Sequence, residues 1–180
     1  MMPFVLILAL ALFNAPQQAA ETMQPMTPVT HVSNTFEFRI AASLARVAPL
    51  FGPEGERCWA GKHWDPKFLY PQAAKDVEGA VFMVQHGPHN SIWVNTVFDL
   101  AGGRMQYVAV IPEAVISVIE VRLTAVDGAH TAVAVKYART ALAAEANDDV
   151  SAMGADDRNS GPHWQQAVEA CLAVKAGATL

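Results

Sequence analysis

The sequence is poor in cysteine. Among 180 residues only Cys58 and Cys171 are cysteines, and they show none of the paired spacings that hold zinc. Neither cysteine has an evident base beside it in the sequence, so nothing marks one of them as a nucleophile. We expect two buried free thiols, although export to an oxidising compartment would allow one disulfide instead.

Positive charge is also scarce. The chain has 12 Lys and Arg against 17 Asp and Glu, which gives a formal net charge of -5, and it contains no basic run. Nucleic-acid binding depends on Lys and Arg that neutralise successive phosphates. The composition therefore argues against nucleic acid as a partner.

Long apolar runs are absent beyond the N-terminus. Residues 1–20 carry no charged side chain, and Phe4–Phe13 form an apolar run. Because this run is well below the roughly 20 residues that a helix needs to cross a bilayer, we expect no stable membrane span. A signal peptide over residues 1–20 fits better, with cleavage after Ala20, and predicts a periplasmic or secreted protein.

The missing Lys or Arg before the apolar run keeps two alternatives open. One is an uncleaved anchor, and the other is a cytoplasmic protein whose translation starts at Met23. Residues 21–32, with Pro25 and Pro28, are predicted to be a flexible leader. The length then leaves room for a single domain over residues 33–176.

The domain begins with a pattern typical of a strand. Phe36, Phe38 and Ile40 alternate with charged residues, which indicates one buried face. Helical spacing follows over Ala42–Phe51 until Gly-Pro ends it, and residues 53–71 form a loop rich in Gly, Pro and aromatics.

Residues 79–142 contain a regular series of segments with strand periodicity and short turns. Short connections between successive strands predict an antiparallel meander, which makes six to seven strands in all. The predicted segments are Ala80–Gln85, Ser91–Leu100, Met105–Ile111, Ile116–Val126 and Thr131–Leu142.

The C-terminal part is predicted to be helical. Residues 145–159 are acidic and predicted to be a loop with one helical turn, and a helix begins at Ser160 or Gly161 with Pro162 in its first turn. Its apolar residues recur at i, i+3, i+4, i+7 and i+8, as in a helix with one buried face. These residues are Trp164, Ala167, Val168, Cys171 and Leu172.

The sequence resembles the SRPBCC superfamily, which includes START-type lipid carriers, birch-pollen-allergen-like proteins and polyketide cyclase/dehydrase-like proteins. The resemblance covers about residues 33–175. It rests on residues 50–57, on Trp59, Trp64 and Phe68–Pro71 in the following segment, and on residues 137–142. It implies an α+β helix-grip fold, in which a curved antiparallel sheet wraps around a long C-terminal helix, with one or two short helices after the first strand. It also implies a hydrophobic cavity between sheet and helix.

The residues most suited to contact a ligand are aromatic. Trp and Tyr combine an apolar body with a polar tip, which suits the mouth of a pocket. The alternative for the aromatic residues of segment 54–71 is that they hold this long loop against the domain without contacting a ligand. In the predicted strand 91–100, we expect the face that carries Trp93 to point inward, opposite Trp164, although both faces of this strand are apolar. The predicted ligand-binding residues are Trp59, His63, Trp64, Phe68, Trp93, Tyr107 and Trp164.

Three functions remain open. The first is a protein that binds or carries a small apolar ligand, such as a lipid or an aromatic metabolite. The second is a cyclase/dehydrase-like enzyme in which a Tyr or His in the cavity transfers protons, and the third is an interaction protein with a filled core. Candidates for proton transfer are His63, Asp99, Tyr107, Glu120 and Tyr137, of which Asp99 and Glu120 are better explained as surface charges.

The sequence indicates no cofactor and no metal. His86 and His89 lie on a predicted hairpin turn, where solvated histidines are common, and no third ligand is fixed near them. The oligomeric state does not follow from the sequence.

Overall fold

The computed structural model describes residues 27–86 and 89–178. The predicted signal peptide and residues 21–26 of the predicted leader lie outside the described residues. The first strand begins at His31, so His31 and Val32 belong to the sheet rather than to the leader. Within the described part of the chain, no helix is both long and apolar enough to span a membrane.

Seven strands form one antiparallel sheet in the order β1-β7-β6-β5-β4-β3-β2. The meander from β3 to β7 confirms the predicted series, whereas β2 lies inside the segment predicted to be a loop. The strands are β1 (His31–Ile40), β2 (Lys67–Tyr70), β3 (Val81–His86), β4 (His89–Asp99), β5 (Arg104–Ile111), β6 (Val115–Ala125) and β7 (Thr131–Ala141).

Alternating burial explains why these segments form strands with one inner face. In β6, every second residue from Val115 to Leu123 is buried, and in β1 the predicted set Phe36, Phe38 and Ile40 is buried. Gly103 has φ 64° in the turn between β4 and β5. A Cβ there would stand 2.2 Å from the Leu123 carbonyl oxygen, so this turn requires glycine.

Three helices cover the inner face of the sheet. The short α1 (Leu44–Val47) continues as a 3₁₀ turn over Ala48–Leu50, and a second 3₁₀ turn covers Gly55–Cys58. At the C-terminus, α2 (Asn147–Asn159) and α3 (Gly161–Gly177) follow each other. The helix-grip fold is therefore confirmed, with α3 as the predicted C-terminal helix.

Helix α2 corrects the prediction of an acidic loop. Its buried residues are Val150, Gly154 and Asp157, which lie at i, i+4 and i+7 on one side of the helix. Only one of the three is an apolar side chain, so the buried face shows no hydrophobic pattern. Gly154 allows a close approach to β1, because a Cβ there would lie 2.9 Å from Val32.

The expectation of two free thiols is wrong, because Cys58 and Cys171 form a disulfide. Their Cα atoms lie 5.7 Å apart, within the range that a disulfide spans. The bond joins the 3₁₀ turn Gly55–Cys58 to α3. The sequence could not show it, because 113 residues separate the two cysteines.

We predict that breaking this bond destabilises the protein. Closing so long a loop restricts the unfolded chain, so reduction should lower the free energy of unfolding by about 3 kcal/mol. For a chain of this size the melting temperature should fall by roughly 6–12 °C, measured by circular dichroism with and without reductant. The Cys58→Ser/Cys171→Ser variant is the control and should not respond to reductant. An unchanged wild-type melting temperature in reductant would contradict the prediction.

Candidate functional site

A cavity of about 400 Å³ lies between the inner face of the sheet, the segment around residues 56–64 and the C-terminal helices. Strands β5 and β6 supply apolar floor residues such as Ala109, Ile119 and Val121. Six aromatic side chains form much of its wall: Trp59, Trp64, Trp93, Tyr107, Tyr137 and Trp164. These include all four tryptophans of the chain.

Of the seven predicted ligand-binding residues, the structure brings five together around the cavity. They are Trp59, Trp64, Trp93, Tyr107 and Trp164. His63 and Phe68 do not line it. His63 is exposed and lies in a shallow surface groove beside Lys62 and Lys67, because the segment turns its side chain outward.

Phe68 has a supporting position instead. In the register of the sheet, Phe68 on β2 is opposite Phe82 on β3, which is opposite Trp93 on β4. The rings stack across the strands, with centroids 5.6 Å apart for Phe68–Phe82 and 5.8 Å apart for Phe82–Trp93. The three rings therefore form a row in which Trp93 reaches the cavity and Phe68 lies at the opposite end.

The inward orientation of Trp93 agrees with the expectation for β4, but the strict alternation of that strand fails. The pairing with β5 shifts between Asn95 and Val97, so Thr96 is an extra residue. Such a bulge reverses the side-chain alternation beyond it. Strict alternation would place Phe98 on the face of Ile92, but because of the bulge Phe98 packs against the core.

The polar tips of three tryptophans are bonded to the protein. Trp59 Nε1 donates to the Leu50 carbonyl at 2.7 Å, and Trp64 Nε1 donates to the Pro53 carbonyl at 2.9 Å. Trp93 Nε1 donates to Ser91 Oγ at 2.6 Å. Because their donors are satisfied, these indoles offer a ligand their apolar faces.

Glu56 is a buried carboxyl group in the cavity wall, 8% exposed. Its Oε1 lies 3.5 Å from the Tyr107 hydroxyl, which donates to the Phe51 carbonyl. Burial raises the pKa of Glu56, and the nearby negative charge of Asp76 raises it further. The carboxyl group therefore favours its neutral form.

Arg139 is the second ionisable group of the wall, and its charge is compensated. Its Nε and Nη2 donate to the two carboxylate oxygens of Asp157 on α2 at 2.7 and 2.8 Å, and its Nη1 donates to Ser117 Oγ at 3.0 Å. The guanidinium carbon also lies 4.3 Å from the centre of the Tyr137 ring. This bidentate pair fixes α2 to β7.

The other candidates for proton transfer are poorly suited to it. Burial raises the pKa of Tyr107 and of Tyr137, so neither phenol ionises near neutral pH. Asp99 accepts hydrogen bonds from Gly102 N and Arg104 at the end of β4, and Glu120 lies 3.8 Å from Arg122. In residues 27–86 and 89–178 no three His, Cys, Asp or Glu side chains are grouped as a metal site would require.

Several residues of the wall were missed in the sequence. By alternation Arg139 and Ser117 lie on the inward faces of their strands, since Arg139 follows Val135 and Tyr137 on β7 and Ser117 precedes Ile119 on β6. That signal was available in the sequence. No such signal marks Glu56, because it lies in a non-periodic segment among other acidic residues. His163 and Met153 reach the cavity wall only through the placement of the helices.

The Arg139–Asp157 pair yields a prediction on stability. Asp157→Ala leaves a largely buried guanidinium unpaired, so the free energy of unfolding should fall by about 3 kcal/mol. The matched control is Asp99→Ala, which breaks the more exposed pair with Arg104 and should cost clearly less, because solvent screens that pair. Urea unfolding measures both. Equal losses in the two variants would contradict the assignment.

No protein-family model matches the sequence, and no curated protein matches it significantly. Solved structures do resemble the fold. A putative uncharacterised protein from Rhizobium leguminosarum aligns with a TM-score of 0.57 and 17% identity, over 81% of this chain and 97% of that one.

Two further structures share the architecture. Norcoclaurine synthase from Thalictrum flavum, in complex with dopamine and hydroxybenzaldehyde, aligns with a TM-score of 0.58 and 9% identity over 81% of this chain and 88% of the synthase. Ara h 8.0201 aligns with a TM-score of 0.55 and 13% identity over 81% and 99% of the two chains. At these identities the likeness concerns the fold alone. The chain has a Bet v1-like helix-grip fold, as the SRPBCC resemblance implied.

Proposed function

We propose that the protein binds a small apolar ligand, preferably an aromatic one, in the cavity between the sheet and the C-terminal helices. The observation that carries this proposal is the cavity of about 400 Å³ with four tryptophans in its wall. Cavities of roughly 300–1,000 Å³ with apolar, aromatic walls and few polar groups are typical small-molecule sites. Indole faces whose N–H groups are already bonded suit a flat, apolar partner.

The likeness to norcoclaurine synthase supports a small ligand with an aromatic ring. In that protein the fold accommodates dopamine and hydroxybenzaldehyde, which are small ring compounds. The same architecture around an aromatic cavity is compatible with a ligand of one or two rings here.

The two alternative functions have weaker support. For the enzyme, His63 lies outside the cavity wall, and the single proton of the Tyr107 hydroxyl is directed at the Phe51 carbonyl. For the interaction protein, a core filled by its own side chains disagrees with the cavity. Binding remains the function that the geometry favours.

We predict that narrowing the cavity weakens binding. Ala109 lies in the cavity floor, so Ala109→Leu occupies space that a ligand would need. The affinity for 2-acetylnaphthalene should fall about tenfold, which corresponds to ~1.4 kcal/mol. Titration followed by tryptophan fluorescence measures this, because all four indoles surround the site.

Ala134→Leu is the matched control, since Ala134 also lies on a strand but lines a groove on the outer face with Glu37 and Arg39. It should leave the affinity unchanged. Equal affinities for both variants and the wild type would place the ligand elsewhere and contradict the proposal.

We also propose that the protein acts in the periplasm or outside the cell. The Cys58–Cys171 disulfide supports this, because such bonds persist in oxidising compartments and are rare in the cytosol. An apolar run before Ala19-Ala20 is in keeping with a cleaved signal.

The prediction is a mature protein that begins at Glu21 and is found in the periplasmic fraction or the medium. N-terminal sequencing and the mass of the non-reduced protein from its host test this together. A chain that keeps Met1, or starts at Met23, and remains in the cytosolic fraction would overturn the proposal.

A further inference from the structure

We propose that Glu56 is a ligand-binding residue that, as a neutral carboxylic acid, donates a hydrogen bond to a carbonyl or hydroxyl oxygen of the ligand. This inference rests on the proposed function and narrows it. The ligand is then an apolar ring compound that carries a neutral hydrogen-bond acceptor.

The backbone holds Glu56 rigidly in the wall. Its own N–H donates to the Gly52 carbonyl at 2.7 Å, and the Asp76 carboxylate accepts from the N–H groups of Glu54 and Gly55 at 2.8 and 3.1 Å. Gly55 lies so close to the preceding segment that a Cβ would stand 2.1 Å from the Pro49 carbonyl oxygen. The carboxyl group is therefore presented in a preformed orientation.

The protons around Glu56 can be counted. The Tyr107 hydroxyl has a single proton, and it uses this proton to donate a hydrogen bond to the Phe51 carbonyl, which can only accept. At 3.5 Å from the same hydroxyl, Glu56 Oε1 lies at the limit of a hydrogen bond. The described residues offer the Glu56 side chain no other hydrogen-bond partner, so its remaining capacity is directed to the cavity.

Among residues 27–86 and 89–178, no positive charge compensates a Glu56 carboxylate. The nearest acidic neighbour, Asp76, has the same sign, and Arg139 is engaged by Asp157. Arg57, next in sequence, pairs with Glu54 and Asp65 on the exposed side of the turn. A buried carboxyl group without a partner charge takes up a proton rather than remain ionised.

The groups that face Glu56 belong to several elements. Asp76 and Tyr107 act on it directly, and Tyr137, Arg139 and His163 share the cavity with it. Of these, only Arg139 is a permanent cation, and its pairing with Asp157 is complete. The wall therefore presents the carboxyl O–H of Glu56, and beside it the Tyr137 hydroxyl, among apolar surfaces.

A matched pair of probes tests the inference. The first is 2-acetylnaphthalene, and the second is 2-isopropenylnaphthalene, which has nearly the same shape but a methylene group in place of the carbonyl oxygen. The measured quantity is the ratio of their affinities, obtained by tryptophan fluorescence. The carbonyl stretching frequency of the bound ketone, with a ¹³C label at the carbonyl, is recorded by infrared spectroscopy.

Glu56→Leu should lower the preference for the ketone about fivefold, as expected for loss of one neutral hydrogen bond. Glu56→Gln keeps an N–H donor and should retain most of the preference. Glu120→Leu, on the outer face of β6, is the control for loss of a carboxyl group. The carbonyl frequency should rise in Glu56→Leu alone among these proteins, because the hydrogen bond that lowers it is lost.

A pH series on the wild type is a second test, with Glu56→Gln as its control. Glu56 is neutral below its raised pKa and becomes a carboxylate, which repels a carbonyl oxygen, as the pH rises through that pKa. The ketone preference should therefore fall with rising pH in the wild type, and Glu56→Gln should remove this dependence.

The outcomes separate the two proposals. If both probes bind and Glu56→Leu keeps the wild-type ratio, or the ketone preference of the wild type rises with pH, the inference on Glu56 is overturned while apolar binding stands. If neither probe binds up to its solubility, the proposed function is overturned, and this inference with it.

Discussion

The cavity depends on the attachment of α3 to the segment that follows α1. Trp164 on α3 packs against Trp59 with ring centres 4.9 Å apart, and the Cys58–Cys171 disulfide fixes the same two elements covalently. Phe36 on β1 contacts Trp164 from the sheet at 5.2 Å. The sheet, the segment around Trp59 and helix α3 therefore all pack against Trp164, which holds the aromatic wall of the cavity together.

Most polar groups of the apolar wall are paired with other groups of the protein. Buried polar groups destabilise a protein unless they are bonded. Arg139 is matched by Asp157 and Ser117, and three indole N–H groups are matched by backbone or serine oxygens. The carboxyl group of Glu56 has only the long contact with the Tyr107 hydroxyl, so it remains available to a ligand.

Much of the sheet could be predicted from the sequence, because alternating burial is a local pattern. Phe36, Phe38 and Ile40 show this for β1. Five of the aromatic residues predicted to bind a ligand line the cavity, and they were chosen from their chemistry together with the family resemblance. The features that were missed depend on tertiary contact. Helix α2 buries a glycine and an aspartate, which carry no hydrophobic signal, and the partner of Cys58 lies 113 residues away.

The site was predictable in part for related reasons. Aromatic composition pointed to the tryptophans, but the direction of a side chain in a loop, such as His63, is set by packing that no periodicity reveals. The extra residue Thr96 similarly reversed the alternation of β4 and brought Phe98 inward. An alternating pattern of apolar and polar residues does not reveal where a single extra residue interrupts a strand.

The short strand β2 has a consequence for association between molecules. A sheet that ends in a strand leaves unpaired backbone N–H and C=O groups, onto which a neighbouring chain can add a strand of its own. Here that edge is only four residues long, begins at Lys67 and is followed by Pro71, which has no N–H to donate. The opposite edge strand, β1, lies against α2 and α3. A chain that is 52% hydrophobic therefore exposes little template for β-aggregation at the end of its sheet.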